Sequence, residues 1–224
     1  MWHTMLPSSA ALPSMGPPRA RYHHGDLRNA LVGAALERIG QGGQAAFSLR
    51  EAARDVGVSA NAAYRHFDDK AALLTAAAAA GFERLSRRMR LAMNRAARRA
   101  GGGSVAIARF KAVGRAYVAF ALDQPELFRL MFSESGGACT GATPTAPEKP
   151  TPWQLVGLAL DDLVAEGVLA PAQREGAELK VWSAVHGFAA LVLAGGAAMP
   201  RGRSRSVALE ALLTFTVRGL ADGP

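Results

Sequence analysis

The stretch Ser59-Ala60-Asn61-Ala62-Ala63-Tyr64-Arg65-His66, followed by Phe67 and three residues later by Lys70, gathers many hydrogen-bond donors. Hydroxyl, amide, phenol, guanidinium, imidazole and ammonium groups all occur there. Ser48 and Arg50 lie a little upstream, and Arg21 and Tyr22 near the start of the chain. Such side chains suit phosphate oxygens and base edges better than bond-breaking chemistry. The sequence contains no G-x-S-x-G, H-E-x-x-H or P-loop run, and His186 has no evident nucleophile to activate, so no enzyme is expected. His23 and His24 are neighbours without a cysteine or a third ligand, so neither metal nor cofactor is expected.

The elements that must hold these groups are helical. Ser48 with Glu51 three residues later is a capping-box pattern opening a short helix that stops at Gly57. Gly57 tolerates the left-handed backbone of a tight turn, and Ser59 caps a second helix reaching about Phe67. Leu49, Ala52, Ala53, Val56, Val58, Ala63 and Phe67 are spaced to lock the two helices together. Two helices joined in this way form a helix-turn-helix. Before it, Leu27, Leu31, Ala34, Ala35 and Ile39 mark a helix starting near Asp26 and ending at Gly40, Gly42 and Gly43. After it, a long helix from about residue 69 to 99 carries Leu73, Leu74, Ala77, Gly81, Phe82, Leu85 and Met89 on one face. It becomes arginine-rich towards Gly101.

The remaining chain is helical in pattern. Ala106, Phe110, Val113, Tyr117 and Phe120 recur at helical spacing, and Pro125 opens a short helix through Leu127, Leu130 and Met131. The span from Ser133 to Pro152 is rich in Gly, Thr and Pro and reads as a loop. Three further helices follow, at Trp153–Gly167, Ala172–Gly195 and Val207–Leu220. The last two are apolar around most of their circumference, which predicts burial on more than one side. The expected class is therefore all-α. It has a disordered arm (1–20) containing Pro7, Pro13, Pro17 and Pro18, a helix-turn-helix head (21–70), a linking helix, and a helical body (104–221).

The charge divides along the same boundary. The chain carries a formal +8. Residues 1–100 hold 15 Lys/Arg against 7 Asp/Glu, and the rest of the chain holds 11 of each. A basic head on a neutral body suggests a polyanion-binding module joined to one with another task. No uncharged apolar run is long enough to predict a membrane span, and residues 1–18 do not form a signal peptide. Met5 and Met15 offer alternative starts. The one cysteine, Cys139, precludes an internal disulfide and fits a reducing, cytoplasmic setting.

The run "YHHGDLRNALVGAALERIGQGGQAAFSLREAARDVGVSANAAYRHFDDKAALLTAAAAAGFERL", Tyr22 to Leu85, resembles the TetR/AcrR transcriptional regulators. The signature lies in "SLREAARDVGVS", in "YRHF" and in the lysine three residues after the Phe. A weaker resemblance continues through "YVAFALDQPELFRLMF" and "VWSAVHGFAALVLAG". It implies that Ser59, Ala60, Asn61 and Ala62 form the front of a recognition helix. Tyr64, His66 and Lys70 would then hold phosphates, and Arg50 would approach a guanine edge. Ser48 would cap its helix and also reach phosphate. Arg65 is a further base or backbone contact, or is simply solvated. Tyr64 alternatively packs in the head, and His66 alternatively lies on the surface. Arg19, Arg21 and Tyr22 would reach the minor groove or phosphates, or else belong to a solvated tail.

For the body, the resemblance implies effector binding and dimerisation. Tyr117, Phe120, Leu127, Phe128, Met131, Trp153, Trp182, His186 and Phe188 are pocket candidates, although any one of them also suits a plain core. Helices 172–195 and 207–220 are the expected two-fold interface, with Gly187, Ala190 and Ala194 permitting close approach. The expected function is a homodimeric repressor, bound to a palindromic double-stranded DNA operator and released by a small apolar or amphipathic effector. The alternative is a sequence-blind architectural DNA binder, which would show no palindromic preference.

Overall fold

The computed structural model describes residues 24–44, 47–134, 150–196 and 199–222. Among them are nine α-helices and no strand. The arm expected at residues 1–20, together with Arg21 and Tyr22, lies outside the described residues, as does Cys139.

Three short-range signals build the head. Helix α1 (His24–Gly42) buries Leu31, Ala35 and Ile39. It closes where Gly43, at φ 70°, donates its N–H to the Ile39 carbonyl at 2.9 Å. Helix α2 (Leu49–Val56) starts at Ser48, whose hydroxyl oxygen accepts from the Glu51 N–H at 3.2 Å. It ends at Gly57, at φ 76°. The Glu51 carboxylate accepts from the Ser48 hydroxyl at 2.7 Å. A full reciprocal capping box instead opens α7, between Thr151 and Gln154.

Helix α3 (Ala60–Tyr64) is shorter than its sequence pattern predicts. Asp69 must be extended (φ −151°) to cap α4 through the Ala72 N–H, so the chain leaves the α3 axis soon after Tyr64. One helical hydrogen bond survives beyond it, from the Phe67 N–H to the Ala63 carbonyl at 3.1 Å. That bond keeps Phe67 in the core.

Helix α4 (Lys70–Arg99) has 30 residues and so spans about 45 Å. Its first half buries Leu73, Leu74 and Ala77 in the head, and its second half carries Leu85, Met89 and Met93 into the body. The body centres on α5 (Val105–Asp123), which packs against α4, α6 (Pro125–Met131), α7 (Pro152–Ala165), α8 (Ala177–Ala194) and α9 (Gly202–Asp222). Glycine allows two of these approaches. A Cβ on Gly81 would lie 2.7 Å from the Met131 sulfur on α6, and one on Gly114 would lie 2.4 Å from a Leu213 methyl on α9.

The last two helices depart from expectation. A short 3-10 turn at Pro171–Gln173 precedes α8, which starts only at Ala177, and α9 starts earlier than expected, at Gly202. Neither is buried on several sides. Helix α8 turns Val181, Val185 and Ala189 inward, and α9 turns Leu209, Leu213 and Val217 inward. Leu179, Leu191, Val207 and Phe215 stay in the open.

Candidate nucleic-acid interface and effector cavity

In α3 the side opposite the core is set by helical geometry. Ala63 is fully buried against the head, so Asn61, Tyr64 and Arg65 point outward together. Asn61 and Arg65 are exposed, Tyr64 is 43% exposed, and Ala60, Ala62 and His66 are half-buried. Ser59 caps the helix through the Ala62 N–H at 3.2 Å. Only two methyl groups front this helix, so its backbone can approach a groove closely. Arg50 is exposed on α2.

Two of the expected phosphate ligands have partners inside the head. Lys70 donates to the Gln44 carbonyl at 2.8 Å and lies over the Phe47 ring, 5.9 Å from its centre. An ammonium has three N–H groups, so two remain for an anion. The Ser48 hydroxyl donates to Glu51, and in this arrangement it offers phosphate no hydrogen.

Sequence reasoning passed over two arginines. Arg28 lies 4.9 Å above the Phe67 ring, placing a cation beside the turn between α3 and α4. Arg38 grips both oxygens of Asp55, with one bond of 2.7 Å, and approaches Glu51 at 3.4 Å. The Arg38 guanidinium holds the Asp55 carboxyl below its ordinary pKa, and the Ser48 hydroxyl does the same for Glu51, helped by Arg38. Both carboxylates are thereby compensated by charge within the head. Nothing in the one-dimensional pattern links residue 38 to residue 55; only the packing of α1 on α2 does so.

The body contains an apolar cavity of about 20 Å³, space for roughly one water molecule. It lies where α4, α5, α7, α8 and α9 converge and is lined by Met89, Phe110, Tyr117, Val156, Trp182 and Leu213, among others. Of the residues singled out from sequence, Tyr117 and Trp182 line it. Phe120, Leu127, Phe128 and Met131 are buried elsewhere in the core. Trp153 is 38% exposed on α7, its ring 5.7 Å from that of Trp182. Phe188 is half-buried. Met89 and Phe110 were legible as members of apolar helix faces, but their convergence with Val156 and Leu213 on one void was not.

Beside the cavity, the Tyr117 hydroxyl and Nδ1 of His186 share a 2.8 Å hydrogen bond. Burial holds the imidazole below its ordinary pKa. Phe128 stacks against its ring at 5.5 Å and Phe132 meets it at 4.6 Å. Phe132 in turn packs edge-on against Phe82 of α4 at 5.5 Å. A continuous aromatic path therefore joins the cavity's edge to the linking helix.

Comparison with known proteins finds two family matches along the chain. Residues 31–77 match the family described as bacterial regulatory proteins, tetR family. Residues 110–215 match the tetracyclin repressor-like C-terminal domain. None of the curated proteins compared matches the chain. Among solved structures, a protein of unknown function from Rhodococcus sp. RHA1 is 33% identical, with a TM-score of 0.70, covering 91% of this chain and 100% of its own. A TetR variant from Acinetobacter baumannii in complex with minocycline is 22% identical, with a TM-score of 0.58, covering 85% of this chain and 94% of its own. A TetR family transcription regulator from Marinobacter aquaeolei is 18% identical, with a TM-score of 0.57, covering 87% of this chain and 95% of its own. These last two show likeness of fold. With both its helix-turn-helix head and its helical body matched, the chain belongs to the TetR family of ligand-responsive, DNA-binding transcriptional regulators and is not an enzyme.

Proposed function

We propose that the protein is a homodimeric repressor, bound to a palindromic operator and released when a small apolar or amphipathic effector enters the body. The observation that carries this reading is the unpartnered apolar face of α8 and α9. Leu179 is 63% exposed, Leu191 59%, Val207 62% and Phe215 73%. Large apolar side chains grouped on two helices mark an interface, and a second copy would cover them by two-fold symmetry. Helix α8 is long and apolar enough to cross a membrane, with a mean hydropathy of 1.3. It nevertheless carries Glu178 and Lys180 and packs its Val181 face on the body, which favours a protein partner over lipid.

Two heads related by a two-fold axis would enter successive major grooves roughly 34–36 Å apart. Asn61 and Arg50 would read base edges, with Arg65 beside them, while Tyr64, His66 and Lys70 would fix position through phosphates. Ala60 and Ala62 would meet thymine methyls. An effector larger than the present cavity would have to part the helices that line it. Met89 belongs to α4, so such a widening would act directly on the helix that carries the head. Population would then shift towards a dimer whose heads no longer match the operator. We place this action in the cytoplasm, with the DNA.

Footprinting the protein on the DNA upstream of its own gene tests the reading. The expected result is protection of an inverted repeat, lost on adding the correct effector. Uniform protection without a repeat favours an architectural binder, and a footprint strengthened by effector overturns the repressor role.

A further inference from the structure

A second concavity lies outside the body cavity, where the head meets the body. It is a groove of about 550 Å³ between one face of α1, the middle of α4 and the start of α7 at Pro152, a volume in the range of small-molecule sites. Its walls are apolar: Val32 and Leu36 come from α1 and Phe82 from α4. Its floor is lowered by small residues, Gly33 on α1 and Ala79 and Ala80 on α4.

Gly33 is the telling position. It sits inside a long helix at ordinary φ, where glycine is the least favourable residue after proline. Close packing does not explain it, because a Cβ there would meet nothing within 4 Å. At Gly81 and Gly114, by contrast, a neighbouring side chain fills the missing volume. What Gly33 leaves open is space in the groove.

The rim is cationic. Arg84, Arg87 and Arg90 line it, with Glu83 as the one carboxylate among the described lining residues. Among the described residues none of the three arginines makes an ion pair, whereas Arg88 on the same helix reaches Asp123 at 2.7 Å. Unpaired guanidinium groups above an apolar floor complement a carboxylate or phosphate head on an apolar body.

We infer that this groove binds a small amphipathic anion, apolar end against Val32, Leu36 and Phe82, anionic end among Arg84, Arg87 and Arg90. Such a ligand touches α1, α4 and α7 at once, so it ties the head to the body at the point where their angle is set. The site is separate from the body cavity, and its occupancy is read without DNA.

Calorimetric titration of the full chain with decanoate, below its micelle concentration, tests this, with decanol as the uncharged comparison. Decanoate is expected to bind about tenfold or more tightly than decanol. The double variant Arg84→Ala with Arg87→Ala should weaken decanoate by a similar factor. Gly33→Phe fills the groove from its floor; it should weaken both ligands while the melting temperature holds or rises. Absence of decanoate binding overturns the proposal, and so does equal affinity in the parent and both variants. Loss of binding on Trp182→Ala, with none in the groove variants, sends the anion to the body cavity and equally overturns it.

Discussion

At the scale of single residues, the proposed complex separates groups of the head that position from groups that read. Lys70 is anchored to Gln44 and Phe47 with two N–H groups to spare, a geometry suited to a phosphate at a fixed place. Arg50 is an exposed fork on the surface of α2. Replacing Lys70 by Ala should weaken binding to every DNA sequence alike and reduce the slope of log affinity against log salt by about one. Replacing Arg50 by Ala should remove about 1–3 kcal/mol of discrimination at one base pair. Competition binding against a panel of mutated operators distinguishes the two; a Lys70 variant that alters base preference contradicts the division.

His186 makes a second residue-scale prediction. Burial lowers its pKa in the folded protein, so the unfolded chain takes up a proton first as pH falls. Stability is therefore full above the unfolded value of about 6.5 and declines as pH drops below it. His186→Gln keeps a neutral hydrogen-bond partner for Tyr117 and should flatten the melting temperature between about pH 7.5 and about pH 5.5. A variant as pH-sensitive as the parent would place the titration elsewhere.

At the scale of elements, packing turns similar residues to opposite uses. Gly114 lets α5 lie against α9, with Leu213 occupying the space its side chain would need. Gly40, in α1, has nothing near it. Gly114→Ala should destabilise by about 1–3 kcal/mol through overpacking, less what the better helix former returns. Gly40→Ala should stabilise by up to about 1 kcal/mol. Urea denaturation measures both, and equal responses would mean that the α5–α9 approach is looser than described. In the sequence Gly40 reads as a helix terminator, and Gly114 carries no signal of its own. The difference arises from a neighbour far along the chain.

At the scale of the whole molecule, the exposed apolar face of α8 and α9 is what remains unsatisfied. A buried Phe contributes roughly 1.5–3 kcal/mol, and a two-fold interface contains each residue twice. Phe215→Arg should therefore split the proposed dimer and lower operator affinity with it. Sedimentation reports the mass directly, and a variant that remains dimeric moves the interface off this face.

The order of helices, the turn at Gly57 and the cap at Ser59 were legible from sequence. Each depends on residues within one or two turns of one another, and local backbone geometry is nearly independent of the rest of the chain. The basic head on a neutral body was legible too, because formal charge follows from composition. What required the fold was every relation across long separations: Arg38 with Asp55, Lys70 with Gln44, Phe82 with Phe132, and Met89, Tyr117, Trp182 and Leu213 around one cavity. An apolar periodicity says that a face is covered, not by what. It predicted burial of α8 and α9 on more than one side, whereas packing within the chain covers one side of each and leaves Leu179, Leu191, Val207 and Phe215 exposed.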